Sequence, residues 1–246
     1  MKKIIFLHTS LNVGGAEKQR LFLLKNIDKG RYDIKVCCLG KKGIIGREIE
    51  ALEYTVDELG QNPSSKNPRI TYKLIRYLLK EKPDILHCSL FNANFHGRIA
   101  GLLCGVSHLI TEEHSEHLQY NGLKFLPYKI TDFILSRVTD FIVCCSEGLR
   151  RDIVIKERLP AKKTLAIENC IDAADYRVTV SREEIRKKYN IGNELVFITV
   201  ASLSARKGHD FFMETLRNVK DEGYDFKCFF AGAGPLMESL KLKVKS

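Results

Sequence analysis

What the chain lacks narrows its chemistry first. It contains no run approaching the ~20 apolar residues that a membrane-crossing helix needs. Its start, "MKKIIFLHTS", has two lysines but only four apolar residues before His8, too few for a secretory leader. The sequence therefore reads as cytoplasmic and soluble. Its eight cysteines, at 37, 38, 88, 104, 144, 145, 170 and 228, form no C-x-x-C pair, so neither a zinc ribbon nor a thioredoxin-like site is expected. They sit mostly in apolar runs and read as free thiols buried in a reducing compartment. Adjacent Cys37 and Cys38 must face opposite sides of a strand. There is no G-x-x-x-x-G-K-[ST], which argues against a P-loop NTPase, and no G-x-S-x-G elbow. The first glycine loop does not read G-x-G-x-x-G, which argues against a standard dinucleotide fold.

What is present is a full core and a basic surface. Of 246 residues, 44% are hydrophobic, and the net charge is +10. Such a charge attracts phosphates, nucleic acid or an anionic membrane, and cannot choose among them. Short apolar runs alternate with helical patterns. Strands are expected at 3–8, 32–39, 84–89, 107–113, 140–146 and 164–169, and helices at 15–28, 66–82, 92–104, 125–138 and 146–157. Strands that are almost continuously Ile, Leu, Val and Cys are buried on both faces, the mark of a parallel sheet between helices. The fold class is α/β: a Rossmann-like, doubly wound parallel sheet over 1–172. A polar stretch follows and reads as a linker, 173–192. Residues 193–246 then begin a second Rossmann-like domain: a strand at 194–202, a helix at 209–221, a strand at 226–232 and a last helical piece at 235–243. Two strands bury a core poorly by themselves.

Ligands of open α/β sheets bind beyond the carboxyl ends of the strands, and three loops lie there. The first, "TSLNVGGAE" (9–17), puts Gly14 and Gly15 at a helix start. Two readings are open: a tight strand-to-helix turn, or bare backbone N–H groups that cradle an anion. Glu17 would suit the positive end of that helix in either case. The second, "ITEEHSEH" (110–117), carries His114 and His117 among three glutamates. It reads as a polar loop, a substrate-contacting histidine or, with less support, a metal site. The third, "VASLSARKG" (200–208), places Arg206 and Lys207 before a helix, either as solvated charges or as partners of a diphosphate. "GAGPLMESL" (232–240) adds another glycine turn into a helix.

Taken together, "NVGGAEKQ", "KPDILHCSLFNANFHGRIAG", "ITEEHSEH", "CSEGLRRDI", "IENCID", "VASLSARKG" and "GAGPLMESL" resemble, in order, the motifs of the retaining glycosyltransferases of family 4. That family has the GT-B fold of two facing Rossmann-like domains. The resemblance implies a nucleotide-diphosphate sugar as co-substrate, bound between the domains, with no metal and no other cofactor. It places backbone N–H groups of Gly14 and Gly15 near the distal phosphate. Lys207 would neutralise the diphosphate leaving group, and His114 would contact the donor sugar near the reacting carbon. Ser202 and Arg206 belong to the donor loop, and Gly232 and Gly234 lie under the nucleoside. Glu17 and Asn94 fall on the acceptor side. Three departures stand out. Ser202 replaces a frequent arginine, "ENC" (168–170) replaces a frequent "PNG", and the family's E-x₇-E segment would lie beyond Ser246. The chain is thus expected to be a C-terminally truncated member.

The segment "KNPRITYKLIRYLLKEK" (66–82) combines Lys66, Arg69, Lys73, Arg76, Lys80 and Lys82 with an apolar stripe of Ile70, Leu74 and Leu78. It reads as an ordinary solvated helix or as one resting on anionic lipid. "NGLKFLPYKITDFILSR" (121–137), with Phe125, Leu126 and Tyr128, is expected to pack into the core. The expected function is sugar transfer to a glycan or lipid-linked acceptor in envelope or surface polysaccharide synthesis. The alternative is a non-catalytic acceptor- or membrane-binding half whose donor site a second chain completes. A sugar-nucleotide epimerase shares the two-domain form. Nucleic acid is not expected as a partner, because no basic–aromatic repeat or known module accompanies the charge.

Overall fold

A computed structural model describes residues 1–62, 67–115 and 126–245. The chain divides into two compact units, Met1–Asp172 and Ala173–Ser246.

The first unit is built on seven parallel strands in the order β3-β2-β1-β4-β5-β6-β7. They are β1 (Lys2–His8), β2 (Tyr32–Cys38), β3 (Thr55–Glu58), β4 (Ile85–Ser89), β5 (His108–Glu113), β6 (Phe141–Cys144) and β7 (Thr164–Ala166). The helices between them are α1 (Gly15–Asn26), α2 (Gly43–Glu50), α3 (Pro68–Glu81), α4 (Phe91–Leu103), α5 (Leu126–Val138) and α6 (Glu147–Lys156). Alternation along the strands feeds two cores. Ile4, Phe6, Val36 and Cys38 pack with Leu21 and Leu24 of α1 and with Ile45 and Ile49 of α2. Ile5, Leu7, Cys37 and Leu86 pack with Ile70, Leu74 and Leu78 of α3 and with α4. Cys37 and Cys38 thus point into different cores, as their adjacency requires. The strand order reverses between β1 and β4. The crevice beyond their carboxyl ends is therefore the switch point at which such sheets bind ligands.

The α/β reading holds, with two elements of the first unit that it did not anticipate. Helix α2 and strand β3 lie where neither helix nor strand was expected. β3 is a four-residue edge strand, Thr-Val-Asp-Glu, in which only Val56 is buried. One buried position gives too little alternation to recognise. Helix α3 buries the expected stripe and starts at Asn67, whose side chain accepts from the Arg69 N–H, with Pro68 next. Lys66 and Phe125 lie outside the described residues. Helix α5 departs from the expectation of a core element: Leu126, Ile130, Phe133 and Ile134 are exposed.

In the second unit, a helix α7 (Arg182–Lys188) occupies the stretch read as linker. It opens on a reciprocal capping box between Ser181 and Glu184. The S-x-x-E spacing was visible, but no apolar run follows it to mark a packed helix. Strands β8 (Leu195–Val200) and β9 (Phe226–Ala231) pair in parallel across helix α8 (His209–Asp221), and α9 (Met237–Lys245) follows. Leu195, Val196, Ile198 and Val200 remain exposed on β8, as two strands alone cannot cover them. Among the described residues, no helix is long and apolar enough to cross a membrane.

Helix α4 approaches the sheet closely because Gly97 has no side chain. A Cβ there would collide with Cys88 Sγ and lie 3.0 Å from Leu7 Cδ2. Replacing Gly97 with Val should overpack this contact and destabilise the first unit by about 2 kcal/mol in urea unfolding. Gly148→Ala, where the nearest atom is Ser146 Oγ at 3.9 Å, should leave stability unchanged or slightly higher.

Candidate active site

Register places one row of polar residues at the carboxyl ends of three strands. His8 of β1 is paired with Ser89 of β4, and Ser89 with Glu112 of β5. Arg20, one turn and a half into α1, reaches into this row. It shares a face with Ala16, Leu21 and Leu24, all buried, so its guanidinium enters the protein with them. Its Nε bonds His8 Nε2 at 3.0 Å, and its Nη2 donates to Ser89 Oγ at 2.9 Å and to Glu112 Oε2 at 2.8 Å. The guanidinium also stacks on Phe6, 3.9 Å from the ring centroid. Ser89 Oγ donates to the same Glu112 oxygen at 2.5 Å. His87 Nε2 lies 3.1 Å from the other oxygen, Oε1, within ion-pair range but outside hydrogen-bond geometry.

Charge in this row is settled by competition. Burial pushes the Glu112 carboxyl up, but Arg20, His87 and His114 outweigh it and hold it well below the carboxylate range. Burial also lowers Arg20, which stays a cation because its starting value is so high. Burial, reinforced by the Arg20 charge, drives His8 well below the usual imidazole value; burial lowers His87 too. Both histidines are therefore neutral near pH 7.

Of the residues singled out in the first unit, His114 and Asn94 meet Glu112. His114 Nε2 lies 3.5 Å from Glu112 Oε2. Asn94, buried in α4, donates at 2.9 Å to the Glu112 carbonyl and at 2.9 Å to Glu113 Oε1. Glu112 and Glu113 thus point to opposite sides of β5. Among the described residues, His8 Nδ1, Arg20 Nη1, Asn94 Oδ1 and Thr111 Oγ1 are buried with no hydrogen-bond partner. His117 and Glu116 lie outside the described residues. Among the described ones, no group of three His, Cys, Asp or Glu could hold a metal ion.

Gly14 is the N-cap of α1, with no side-chain cap, and Gly15 opens the helix. The space a Cβ at Gly14 would take is filled by the Glu17 carboxylate, whereas nothing lies within 4 Å at Gly15. Glu17 itself is buried, and burial raises its carboxyl above the usual value. So the helix start is already occupied by a side-chain anion, and an external one would have to displace it.

In the second unit, Ser202 Oγ lies 3.2 Å from Ser204 Oγ, and the Ser202 carbonyl is 2.8 Å from His209 Nε2. Arg206 and Lys207 sit on a short 3-10 turn before Gly208, a left-handed residue that opens α8. Gly232 and Gly234 are required by backbone packing. Side chains there would run into the carbonyls of Ala201 and Leu203, and Leu203 N–H bonds the Ala233 carbonyl at 2.9 Å. An open cavity of about 890 Å³ in this unit is lined by Phe211, Leu216, Phe226, Cys228, Phe230 and Val244, and includes none of the expected donor residues.

Residues 13–175 match the sequence profile of Glycosyltransferase Family 4, and residues 181–246 match that of Glycosyl transferases group 1. The chain belongs to glycosyltransferase family 4. This family 4 chain is 23% identical over 234 residues to a capsular polysaccharide biosynthesis glycosyltransferase, CapH, of Staphylococcus aureus, covering 90% of the chain and 59% of that protein. It is 25% identical over 252 positions to a UDP-Gal:alpha-D-GlcNAc-diphosphoundecaprenol alpha-1,3-galactosyltransferase of Escherichia coli, covering 97% and 64%. It therefore spans about six-tenths of the length of these curated relatives. In fold it resembles Anabaena Alr3699/HepE, solved with UDP and glucose. The TM-score is 0.78 at 17% identity, over 100% of the chain and 65% of that protein.

The buried row of this family 4 chain is what the sequence reading missed. Arg20 directly follows the glycine motif "NVGGAEKQ", and its i+4 spacing from Ala16 and to Leu24 was the available signal. His8 and Ser89 each end an apolar strand and Glu112 is next to last in its own, a second signal that becomes legible only once the strands are placed side by side.

Removing one partner from the row leaves a buried charge behind. Arg20→Met should cost about 3–5 kcal/mol in denaturant unfolding, and adding Glu112→Gln should recover much of that loss. Acid should also weaken the fold. His8 and His87 have depressed values, so stability falls as pH drops below about 6.5, where the unfolded histidines take up protons. Glu112, also depressed, adds a further loss below about 4.5. Glu17 has the opposite sign: Glu17→Gln should raise the melting temperature at pH 7.5, by a margin that shrinks as pH falls through the raised carboxyl value. Circular-dichroism melts between pH 7.5 and 4 check all three signs.

Proposed function

We propose that this chain serves the transfer of a sugar from a nucleoside-diphosphate sugar to a glycan or lipid-linked acceptor, with retention at the anomeric carbon, in surface polysaccharide synthesis. The observation that carries the reading is the ordered pair of family matches, 13–175 and 181–246. The names of the two curated relatives, one in capsule synthesis and one using a diphosphoundecaprenol-linked acceptor, support the acceptor class. In this reading residues 1–172 form the acceptor-side domain. Residues 193–246 open the nucleotide-sugar domain, and 173–192 join them. His114 contacts the donor sugar, its imidazole held by Glu112, which Arg20 and Ser89 fix in turn. The amides of Gly14 and Gly15 receive the distal phosphate once the Glu17 side chain has moved aside. Ser202, Arg206 and Lys207 meet the diphosphate, and the turn of Gly232 and Gly234 lies under the nucleoside. Glu17 and Asn94 serve the acceptor. The chain works on the cytoplasmic face of a membrane.

A second reading is favoured by the two-stranded sheet of the second unit, which leaves β8 exposed. There the chain binds acceptor or membrane, and another polypeptide completes the donor site. Titration calorimetry with UDP- and GDP-sugars separates the two. Micromolar binding that weakens at least about tenfold in Lys207→Ala, the loss of one charge-assisted contact, supports the transferase reading. No heat with any nucleotide sugar overturns it for this chain and leaves the partner reading.

A further inference from the structure

His209 is a histidine buried where an apolar residue would serve. It opens α8, is 2% exposed, and stands its ring edge-on to Phe230 at 5.8 Å between centroids. Leucine would fill that place. What leucine lacks is a ring N–H. His209 Nε2 lies 2.8 Å from the Ser202 carbonyl, which can only accept, so Nε2 is a protonated nitrogen. The same carbonyl already accepts from the Ser204 N–H at 2.9 Å. The imidazole is thus a second donor to an oxygen that has one. Its effect is geometric: it ties the start of α8 back to the residue where the loop 202–208 begins.

That loop carries Arg206 and Lys207, and its other hydrogen bonds hold its backbone. Leu203 is buried; its N–H bonds the Ala233 carbonyl at 2.9 Å and its own carbonyl accepts from Leu236 N–H at 3.0 Å. Lys207 N–H bonds the Ser204 carbonyl at 3.0 Å, and Gly208 N–H the Ala205 carbonyl at 3.1 Å. Gly208, at φ 68°, then turns the chain into α8. The His209 bond runs across these local turns and joins the two ends of the loop. Arg206 and Lys207 themselves are exposed, and among the described residues no hydrogen bond or ion pair engages their side chains. Free cations on a fixed backbone bind an anion at low ordering cost, since only the side chains are left to order. We propose that His209 is a positioning residue: by donating to the Ser202 carbonyl it fixes the turn from which Arg206 and Lys207 project, so that both cations meet a diphosphate already in place. The ligand in this inference rests on the transferase reading; the fixing of the loop does not.

The test compares His209→Leu, which keeps the bulk and loses the donor, with His209→Gln, whose side-chain amide can still donate. Amide hydrogen exchange of the ligand-free chain reads the loop. His209→Leu should speed exchange at Lys207 and Gly208 about fivefold, the worth of one hydrogen bond, with β8 and β9 unchanged, and His209→Gln should restore the slow rate. Calorimetric titration with UDP reads the anion. His209→Leu should weaken UDP about fivefold, and should cost less than that when Lys207 is already alanine, because the two act as one unit. The proposal is overturned if exchange at these two amides is unchanged in His209→Leu, or if it rises equally through β8 and β9, as it would for a residue that only packs. Full additivity of His209→Leu and Lys207→Ala in UDP binding overturns it too. Nitrogen NMR of the wild type, which needs no variant, overturns it if His209 Nε2 carries no proton. A wild type that binds no UDP, with faster exchange confined to the loop in His209→Leu, overturns the transferase reading and leaves the anchor standing.

Discussion

One guanidinium ties three strands and a helix together. Among the described ion pairs, Arg20 is the one arginine or lysine in contact with the partly buried carboxylate of Glu112, and it reaches His8 and Ser89 in the same cross-strand row. Taking two charges out of water costs more than their attraction returns unless further hydrogen bonds satisfy them. Here Ser89, His8 and the Phe6 ring supply those contacts. The arrangement buys no great stability. It fixes the register of β1, β4 and β5 at the ends where a parallel sheet places its chemistry, and it holds the carboxylate beside which His114 lies.

The second constraint is the crowded start of α1. A bare glycine cap next to an open helix end invites an anion, and Glu17 supplies one from within the chain. Its raised carboxyl shows that the position is uncomfortable for a permanent charge. The glycines of the second unit tell a different story. Gly232 and Gly234 are dictated by backbone packing against Ala201 and Leu203.

The legibility of the fold followed the burial of its elements. β1, β2, β4 and β5 were plain because near-continuous apolar runs leave few alternatives. β3 was not, since an edge strand with one buried residue has no pattern to read. α7 was missed although its capping box is written in the sequence, because the helix buries nothing. The family's loops were equally legible: each lies in a short, ordered motif between strong elements. Arg20 and the exposed apolar residues of α5 were not, because both go against the rule that charge lies outside and apolar groups inside.

The sequence by itself determined the parallel α/β core, the order of the motifs and the membership they imply, since period-2 and period-3.6 patterns are local properties of the chain. Tertiary structure alone decided which polar residues meet. His8, Arg20, Ser89 and Glu112 are 12, 69 and 23 positions apart along the chain from one to the next, and only the strand register brings them within hydrogen-bond reach. It decided as well which side of α5 faces out, because a helix's periodicity names its two faces but only its neighbours choose the one to bury.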